Sequence, residues 1–272
     1  YKFDGFSEFL TVYENATQAL QSPEDFKRLT QSVLENLAEN NVIYAEVFIS
    51  PDFCGDRDLG AWREYLAAMR EAHVEGVTLK GIVTCIRHFG PEKAREAALC
   101  AVETAGDWVV GFGMAGAENF GRARDFSYSF DMAREAGLRL TSHAGEWCGA
   151  ASVWETLKEL RVERIGHGVH SIIDPKLVEH LAETGVALEI NPGSNVALGV
   201  YPSWIDHPMK RLRDAGVKVT VSTDDPPFFG TTMTREFEEL ESAYGWGIED
   251  FKLLNETALE AAFCDLATKD VI

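Results

Sequence analysis

The sequence alternates short apolar runs with amphipathic segments from end to end, and this repeat constrains the fold more than any other feature. Several apolar runs are nearly continuous in valine, isoleucine and leucine, which is typical of parallel strands covered on both faces. Helical periodicity fills the gaps, and this alternation predicts parallel strands joined by right-handed crossovers. The predicted strands are 42–50, 80–87, 107–114, 138–144, 163–168, 186–191 and 217–223.

The helical segments carry end signals as well as periodicity. The segment that starts at Ser22 has a Ser-Pro pair and an acidic first turn, which is a common helix N-terminus. Another segment closes on Gly137, and glycine is the usual residue just after a helix. The predicted helices are 22–40, 61–76, 92–106, 124–137, 174–185, 203–216 and 234–245.

Two α/β architectures are compatible with this order of elements. A closed TIM barrel needs eight strands, one more than the chain shows. A doubly wound open sheet would need a glycine-rich phosphate loop after an early strand, and no G-x-x-x-x-G-K-[ST] motif occurs. We therefore predict one (β/α)8 TIM-barrel catalytic domain over residues 1–272, N-terminally incomplete because its first strand is missing from this chain.

The amino-acid composition limits the kinds of molecule that the chain is expected to bind. The chain has 44 acidic and 25 basic residues and a net charge of −19, which disfavours binding to nucleic acid and to anionic membranes. No stretch is long and apolar enough to span a membrane. The five cysteines form no C-x-x-C pair, which fits a reducing cytosol. We expect a cytoplasmic protein that handles small neutral or cationic molecules.

Residues suited to catalysis follow the predicted strands, at the edge where TIM barrels build their active sites. They are His88 after the second strand, Gly116 and Glu118 after the third, His143 and Glu146 after the fourth, His167 and His170 after the fifth, Asn191 and Asn195 after the sixth, and Asp224 and Asp225 after the seventh.

The adjacent carboxylates Asp224 and Asp225 end a buried strand, where two ionised groups would repel each other. A cation would relieve this: one carboxylate could ligate a metal while the other faces a ligand. The alternative is an Asp-Asp-Pro turn with a helix-capping role. His143 suits a metal ligand on a rigid strand end, or else a hydrogen-bonded core histidine.

Glu146 lies on the loop that follows His143. A partly buried glutamate can act as a general acid, and the alternative is an ordinary glutamate at the start of the next helix. His167 is flanked by glycines that allow close backbone approach. It could orient or deprotonate a metal-bound water. His88 and His170 are interpreted as structural, and His73, His180 and His207 as surface or packing residues of helices.

Four ordered motifs resemble the adenosine deaminase family of metal-dependent amidohydrolases, whose fold is the (β/α)8 barrel. They are 141-TSHAGE-146, 164-RIGHGVH-170, 189-EINPGSN-195 and 223-TDDPPFFGTT-232.

The resemblance implies zinc-dependent hydrolysis of adenosine, and of 2′-deoxyadenosine, to inosine and ammonia. His143 and Asp224 would ligate one Zn²⁺, Glu146 would protonate purine N1, and His167 would help to deprotonate the zinc-bound water and steady the hydroxide. Asp225 would contact N7, and the backbone N–H of Gly116 would contact N3. The zinc site of cytidine deaminases, which combines H-x-E with P-C-x-x-C, is absent because the chain has no P-C-x-x-C.

Deaminases of adenine or of a modified adenosine on the same fold remain alternatives. Adenine deaminases usually carry Asp where this chain has Gly166, so the RIGHGVH spelling favours the nucleoside enzyme. A non-catalytic purine-nucleoside-binding relative is a further alternative. Phe6, Phe9 and Tyr13 match the family's hydrophobic lid over the ribose, although an ordinary amphipathic helix face would give the same pattern.

The sequence departs from the family at the first strand, where the family has an H-x-H pair that supplies two more zinc ligands. No H-x-H occurs in the chain. A missing N-terminal segment, a strand supplied by a partner, and a natural non-catalytic relative would each explain this. We favour the first, because Glu146, His167, Asp224 and Asp225 are intact, and we predict weak or absent metal. Ala117 also stands where the family commonly has Asp.

Overall fold

The computed structural model describes residues 1–272, and its strands all coincide with the runs predicted from the sequence. Each ladder that joins neighbouring strands is parallel. The seven strands are β1 (Tyr44–Ile49), β2 (Thr78–Ile86), β3 (Val109–Ala115), β4 (Arg139–Ala144), β5 (Arg164–His167), β6 (Ala187–Ile190) and β7 (Val219–Val221).

Thirteen α-helices accompany the strands, and none of them is both long and apolar enough to cross a membrane. The helices are α1 (Phe6–Thr17), α2 (Pro23–Glu39), α3 (Leu59–Arg70), α4 (Pro91–Val102), α5 (Ser127–Glu135), α6 (Ala150–Leu160), α7 (Pro175–Thr184), α8 (Pro192–Ala197), α9 (Met209–Asp214), α10 (Pro226–Phe229), α11 (Met233–Tyr244), α12 (Ile248–Ala261) and α13 (Leu266–Val271).

The chain divides into two compact units, and the division falls inside β4. The β1–β3 unit comprises Glu14–Thr141 and Phe263–Ile272. The β5–β7 unit comprises Tyr1–Tyr13 and Ser142–Ala262. Each unit therefore contains a segment from the opposite end of the chain.

In the β1–β3 unit, the strands pair in chain order around a core in which Trp62, Phe112 and Phe130 are fully buried. A G-x-G-x-x-G match at 111–116 lies mostly inside β3 and not at a strand-to-helix turn. Gly111 is needed for packing, because a Cβ there would lie 2.8 Å from the ring of Phe263. The match is therefore not a nucleotide-binding turn.

In the β5–β7 unit, β5 pairs with β6 and β6 pairs with β7. The core of this unit is aliphatic, because the fully buried side chains include Ile165, Leu177, Leu181 and Leu188. A strand followed by a helix, with neighbouring strands paired in parallel and in chain order, is the repeat from which βα barrels are built.

Two helix boundaries show how local chemistry sets the ends. Ser22 caps α2 in a capping box with Asp25, as the Ser-Pro start predicted. The helix predicted at 203–216 is wrong in its first half, because α9 begins only at Met209. The residue before a proline avoids the helical region. His207 precedes Pro208 and is not helical.

Candidate active site

Four of the predicted catalytic and metal-binding residues come together in the β5–β7 unit. The rings of His143 and His167 have centroids 5.0 Å apart. His167 Nε2 lies 3.7 Å from Glu146 Oε2 and 3.7 Å from Asp224 Oδ2. The ends of β4, β5 and β7 therefore place two imidazoles and two carboxylates around one small volume.

Backbone conformation at this site is unusual for the residue types. His167 has φ 59° and Asp224 has φ 58°, which is the left-handed region that side chains other than glycine rarely adopt. Such a conformation costs on the order of 1–3 kcal/mol and persists only where the surroundings enforce it. Asn41, Asp56, Arg57 and Arg161 share this conformation elsewhere in the chain, so His167 and Asp224 are two of six such residues.

The glycines beside His167 are required by close packing. A Cβ on Gly166 would lie 2.6 Å from Nδ1 of His143, and a Cβ on Gly168 would lie 2.6 Å from Leu188. Real Cβ contacts are not this short, so any side chain at position 166 would displace His143. The close backbone approach predicted from the sequence is confirmed.

Burial differs among the acidic groups of the site. Glu146 is 5% exposed, whereas the side chain of Asp224 is 21% exposed. Burial, together with the neighbouring charge of Asp224, raises the pKa of Asp225 well above its usual range. This shift favours the protonated form of the Asp225 carboxyl group.

The short helix α8 supports the site from behind. Ser194 Oγ donates a hydrogen bond of 2.7 Å to Asp224 Oδ2. The start of α8 is anchored by the fully buried Glu236, which accepts hydrogen bonds from Gly193 N at 3.0 Å and Thr231 Oγ1 at 2.6 Å. Burial raises the pKa of Glu236 to about 7. No local pattern of residues indicates a role for this carboxylate, which lies 43 residues from Gly193.

Two histidines that were not predicted to take part in catalysis make specific polar contacts. His207 was predicted to be a surface or packing residue of a helix; it is 2% exposed and not helical, so only the packing alternative remains, and its Nε2 lies 3.1 Å from Asn195 Oδ1. His170 Nδ1 lies 3.1 Å from the carbonyl oxygen of Gly145, which ties the loop after β4 to the segment after β5. The structural role predicted for His170 is consistent with this contact.

Gly116 lies in the β1–β3 unit, at the end of β3. It has φ 93°, and a Cβ there would lie 2.7 Å from Nδ1 of His88. His88 Nδ1 accepts a hydrogen bond of 3.1 Å from the N–H of Ala117, so this imidazole holds the turn. Ala117 itself is buried. The contact of Gly116 with purine N3 stays a prediction.

The predicted lid residues lie in an aromatic cluster of the β5–β7 unit. Phe9 lies 5.7 Å from Phe228 and 5.1 Å from Phe229 between ring centroids, and Phe6 lies 5.3 Å from Trp147. Trp147 follows Glu146, and α10 follows Asp225. The cluster therefore packs on the two loops that carry these acids.

The donor set of the chain does not complete a zinc site. A catalytic zinc takes three protein ligands and a water. His143 and Asp224 supply two, and no group of three or more His, Cys, Asp or Glu residues in the structure is arranged to hold a metal ion. The absence of an H-x-H pair agrees with this geometry.

The chain is similar to known deaminases along its whole length. A family model described as adenosine deaminase matches residues 1–272. The chain is 46% identical to a protein of Rhizobium rhizogenes named adenine deaminase, over 99% of this chain and 85% of that protein. It is also 46% identical to an adenine deaminase of Agrobacterium fabrum, over 99% of this chain and 84% of that protein.

Solved structures agree with the predicted fold. The chain is similar to adenine deaminase from Arthrobacter aurescens, with a TM-score of 0.90 and 29% identity over 100% of this chain and 84% of that one. A Burkholderia ambifaria amidohydrolase with bound Zn gives a TM-score of 0.84 and 27% identity, over 93% of this chain and 72% of that one. The α/β fold class of a partial TIM barrel is confirmed, and a structural relative with bound Zn supports a metal cofactor in the family.

Proposed function

Because the chain belongs to the adenosine deaminase family, we propose that it removes the 6-amino group of a purine by hydrolysis, with adenine as its substrate. Adenine and water would give hypoxanthine and ammonia. The observation that carries the proposal is the convergence of two histidines and two acids at the strand ends of the β5–β7 unit. Relatives that are 46% identical and named adenine deaminase support the choice of the free base.

Glu146 is the proposed proton donor to N1 of the purine ring. Protonation of N1 withdraws electrons from C6 and makes that carbon easier for water to attack. The 5% exposure of Glu146 supports this role, because little bulk water competes for its proton. A positioned general acid typically contributes about 10²–10⁴-fold to the rate.

Asp225 is the proposed contact for purine N7. N7 is a hydrogen-bond acceptor, so its partner must carry a proton. Burial and the adjacent Asp224 raise the pKa of Asp225 well above its usual range, and the carboxyl group can then donate. Glu146 and Asp225 would thus bind the two ring nitrogens that lie on either side of the 6-amino group.

His167 and Asp224 are the proposed groups that hold the attacking water. Nε2 of His167 and Oδ2 of Asp224 are 3.7 Å apart, so one water oxygen can contact both. Ser194 holds Asp224 by a hydrogen bond of 2.7 Å, which limits rotation of the carboxylate. Fixing the attacking water beside the purine in this way lowers the entropic part of the activation barrier.

Adenosine is the second candidate substrate, and Gly166 favours it. Adenine deaminases were expected to carry Asp at this position. Here a Cβ would already lie 2.6 Å from Nδ1 of His143, so an Asp at position 166 would displace the imidazole. The product in this case would be inosine. The names of the relatives and the identity of this residue therefore favour different substrates.

Parallel assays of the purified chain decide between the candidates. Ammonia release from adenine and from adenosine would be followed with and without added zinc, with Glu146→Gln as the inactive control. We expect kcat/KM for adenine to exceed that for adenosine by about 10²-fold or more. The reverse ranking would transfer the assignment to adenosine. Binding of either purine without ammonia release in excess zinc would indicate a binding protein.

Zinc retention is measured on the same preparation. Two predicted ligands fall short of the three that a catalytic zinc takes, so we expect less than one zinc per chain after dialysis. Elemental analysis before and after dialysis gives the result. Stoichiometric zinc that survives dialysis, with full turnover, would contradict the prediction of weak metal binding.

A further inference from the structure

A hydrogen-bonded series of buried side chains lies behind His167, on the ring edge away from the two carboxylates. His167 Nδ1 lies 3.1 Å from Asn195 Nδ2 and 3.4 Å from Asn191 Nδ2. Asn195 Oδ1 in turn lies 3.1 Å from His207 Nε2. Asn195 is completely buried and His207 is 2% exposed, so water does not compete for these groups.

The contact between Met209 and His207 determines the direction of the hydrogen bonds that run from His207 through Asn195 to His167. The backbone N–H of Met209 can only donate, and it donates to His207 Nδ1 over 3.2 Å. His207 Nδ1 is therefore an acceptor, and the proton of the neutral ring is on Nε2. Burial lowers the pKa of His207 to about 3, which keeps the ring neutral. His207 then donates to Asn195 Oδ1, and the amide nitrogen of Asn195 faces His167.

The contacts of Asn191 independently indicate the same hydrogen-bond direction at His167. Its Nδ2 donates to the carbonyl oxygen of Glu189 over 3.2 Å, and a carbonyl can only accept. The same NH₂ group faces His167 Nδ1 at 3.4 Å. Both neighbouring amides therefore present donors to Nδ1 of His167, which must accept there.

We propose that Asn195 and His207 are positioning residues that hold His167 in the tautomer with its proton on Nε2. That proton faces Glu146 Oε2 and Asp224 Oδ2, each 3.7 Å from Nε2. In this form His167 donates a hydrogen bond to an oxygen placed there and cannot accept a proton at Nε2. Its role narrows to steadying the attacking oxygen, and the effect on turnover rests on the proposed deaminase function.

Histidine tautomers are read directly from long-range proton–nitrogen NMR spectra of protein labelled with ¹⁵N-histidine. In the wild type we expect His167 and His207 with protonated Nε2. His170 is an internal control of the opposite kind, because its Nδ1 lies 3.1 Å from the carbonyl of Gly145 and must carry the proton. Signals are assigned with single His→Gln variants. A proton on Nδ1 of His167 in the wild type would overturn the proposal.

Two variants test the series itself. Asn195→Asp replaces the donor with an acceptor of the same shape, so the proton of His167 should move to Nδ1. His207→Gln keeps a donor toward Asn195, and the tautomer of His167 should persist. An unchanged His167 tautomer in Asn195→Asp would contradict the proposal. Should a variant not fold, the wild-type spectrum still decides.

Turnover gives a separate readout. Supporting residues of this kind typically change activity by about 10–100-fold. We expect His207→Phe to lower kcat in that range with KM unchanged, and His207→Gln to retain more activity than His207→Phe. Equal losses in the two variants would indicate packing only. Because the NMR result needs no turnover, absence of deaminase activity would remove the proposed function without deciding the tautomer.

Discussion

The strand ends of the two units carry charges that are compensated in different ways. After β1, in the β1–β3 unit, the buried Asp52 pairs with Arg57 at 2.6 Å, and Arg57 also contacts Glu96 at 2.8 Å. In the β5–β7 unit, the groups around His167 include two carboxylates, two amides and the ring of His143. Arg57 compensates the acids of the first set by ion pairs, whereas the two carboxylates of the second set face the imidazole of His167.

Backbone strain at charged side chains occurs in both regions. The β5–β7 unit has His167 and Asp224 in the left-handed region at the ends of its strands. In the β1–β3 unit Arg57, which pairs with Asp52, has φ 65°. The two regions therefore differ in how their charges are compensated and not in backbone strain.

The largest effect should come from the proton donor. We expect Glu146→Gln to lower kcat by about 10³-fold, because the amide cannot protonate N1. Asp52→Asn is the matched change in the β1–β3 unit. It breaks a buried ion pair and should cost about 3 kcal/mol of the free energy of unfolding, with kcat per folded molecule unchanged. Equal losses of kcat in Glu146→Gln and Asp52→Asn would contradict the different roles assigned to the acids of the two units.

Variants of Asp225 test whether its protonated carboxyl group donates a hydrogen bond to purine N7. Asp225→Ala removes the donor to N7 and should lower kcat/KM by about 10–100-fold. Asp225→Asn keeps an N–H donor and should lose less than about tenfold. Steady-state kinetics of both variants with adenine measure the difference. Asparagine as damaging as alanine would argue that a charged carboxylate is the group required.

Glu236 tests the buried proton by its effect on stability. Its pKa is raised from 4.5 to about 7 in the folded protein, so the folded state binds this proton more tightly than the unfolded state. Its stabilising contribution is present below pH 4.5 and is lost as the pH rises through about 7. The loss amounts to about 3 kcal/mol.

Denaturant unfolding of the wild type and Glu236→Gln at pH 5 and pH 8 isolates this term. In Glu236→Gln, the free energy of unfolding should decline less between pH 5 and pH 8, because the contribution of Glu236 is removed. His207 contributes with the opposite sign, because its pKa is lowered to about 3 and its stabilising contribution is lost as the pH falls below 6.5. Parallel pH profiles for the two proteins would show that Glu236 does not titrate as described.

The smallest effect should come from the aromatic cluster. Phe6 contacts Trp147, beside Glu146, and was predicted to cover a ribose. Phe6→Ala should raise KM for adenosine by about 3–10-fold and leave KM for adenine nearly unchanged. Phe6→Leu is the control that keeps apolar bulk. An equal rise for both substrates would mean that the cluster contacts the base.

Local periodicity was sufficient to predict the seven strands and the placement of the candidate catalytic residues at their ends. His143, Glu146, His167 and Asp224 were predictable because carboxyl ends of parallel strands meet at one edge. His207 was not, since a helical pattern over 203–216 hid the break at Pro208. Glu236 was not predictable either, because its contact with Gly193 depends on tertiary packing. Substrate choice depends on pocket shape, and one glycine was too little to decide it.

A crystal structure of the chain with bound hypoxanthine would show how the purine binds, since product binding needs no turnover. We expect the purine in the β5–β7 unit, with the carboxyl group of Glu146 in hydrogen-bond contact with N1 and that of Asp225 in contact with N7. A purine bound with neither acid on its ring nitrogens would contradict this expectation.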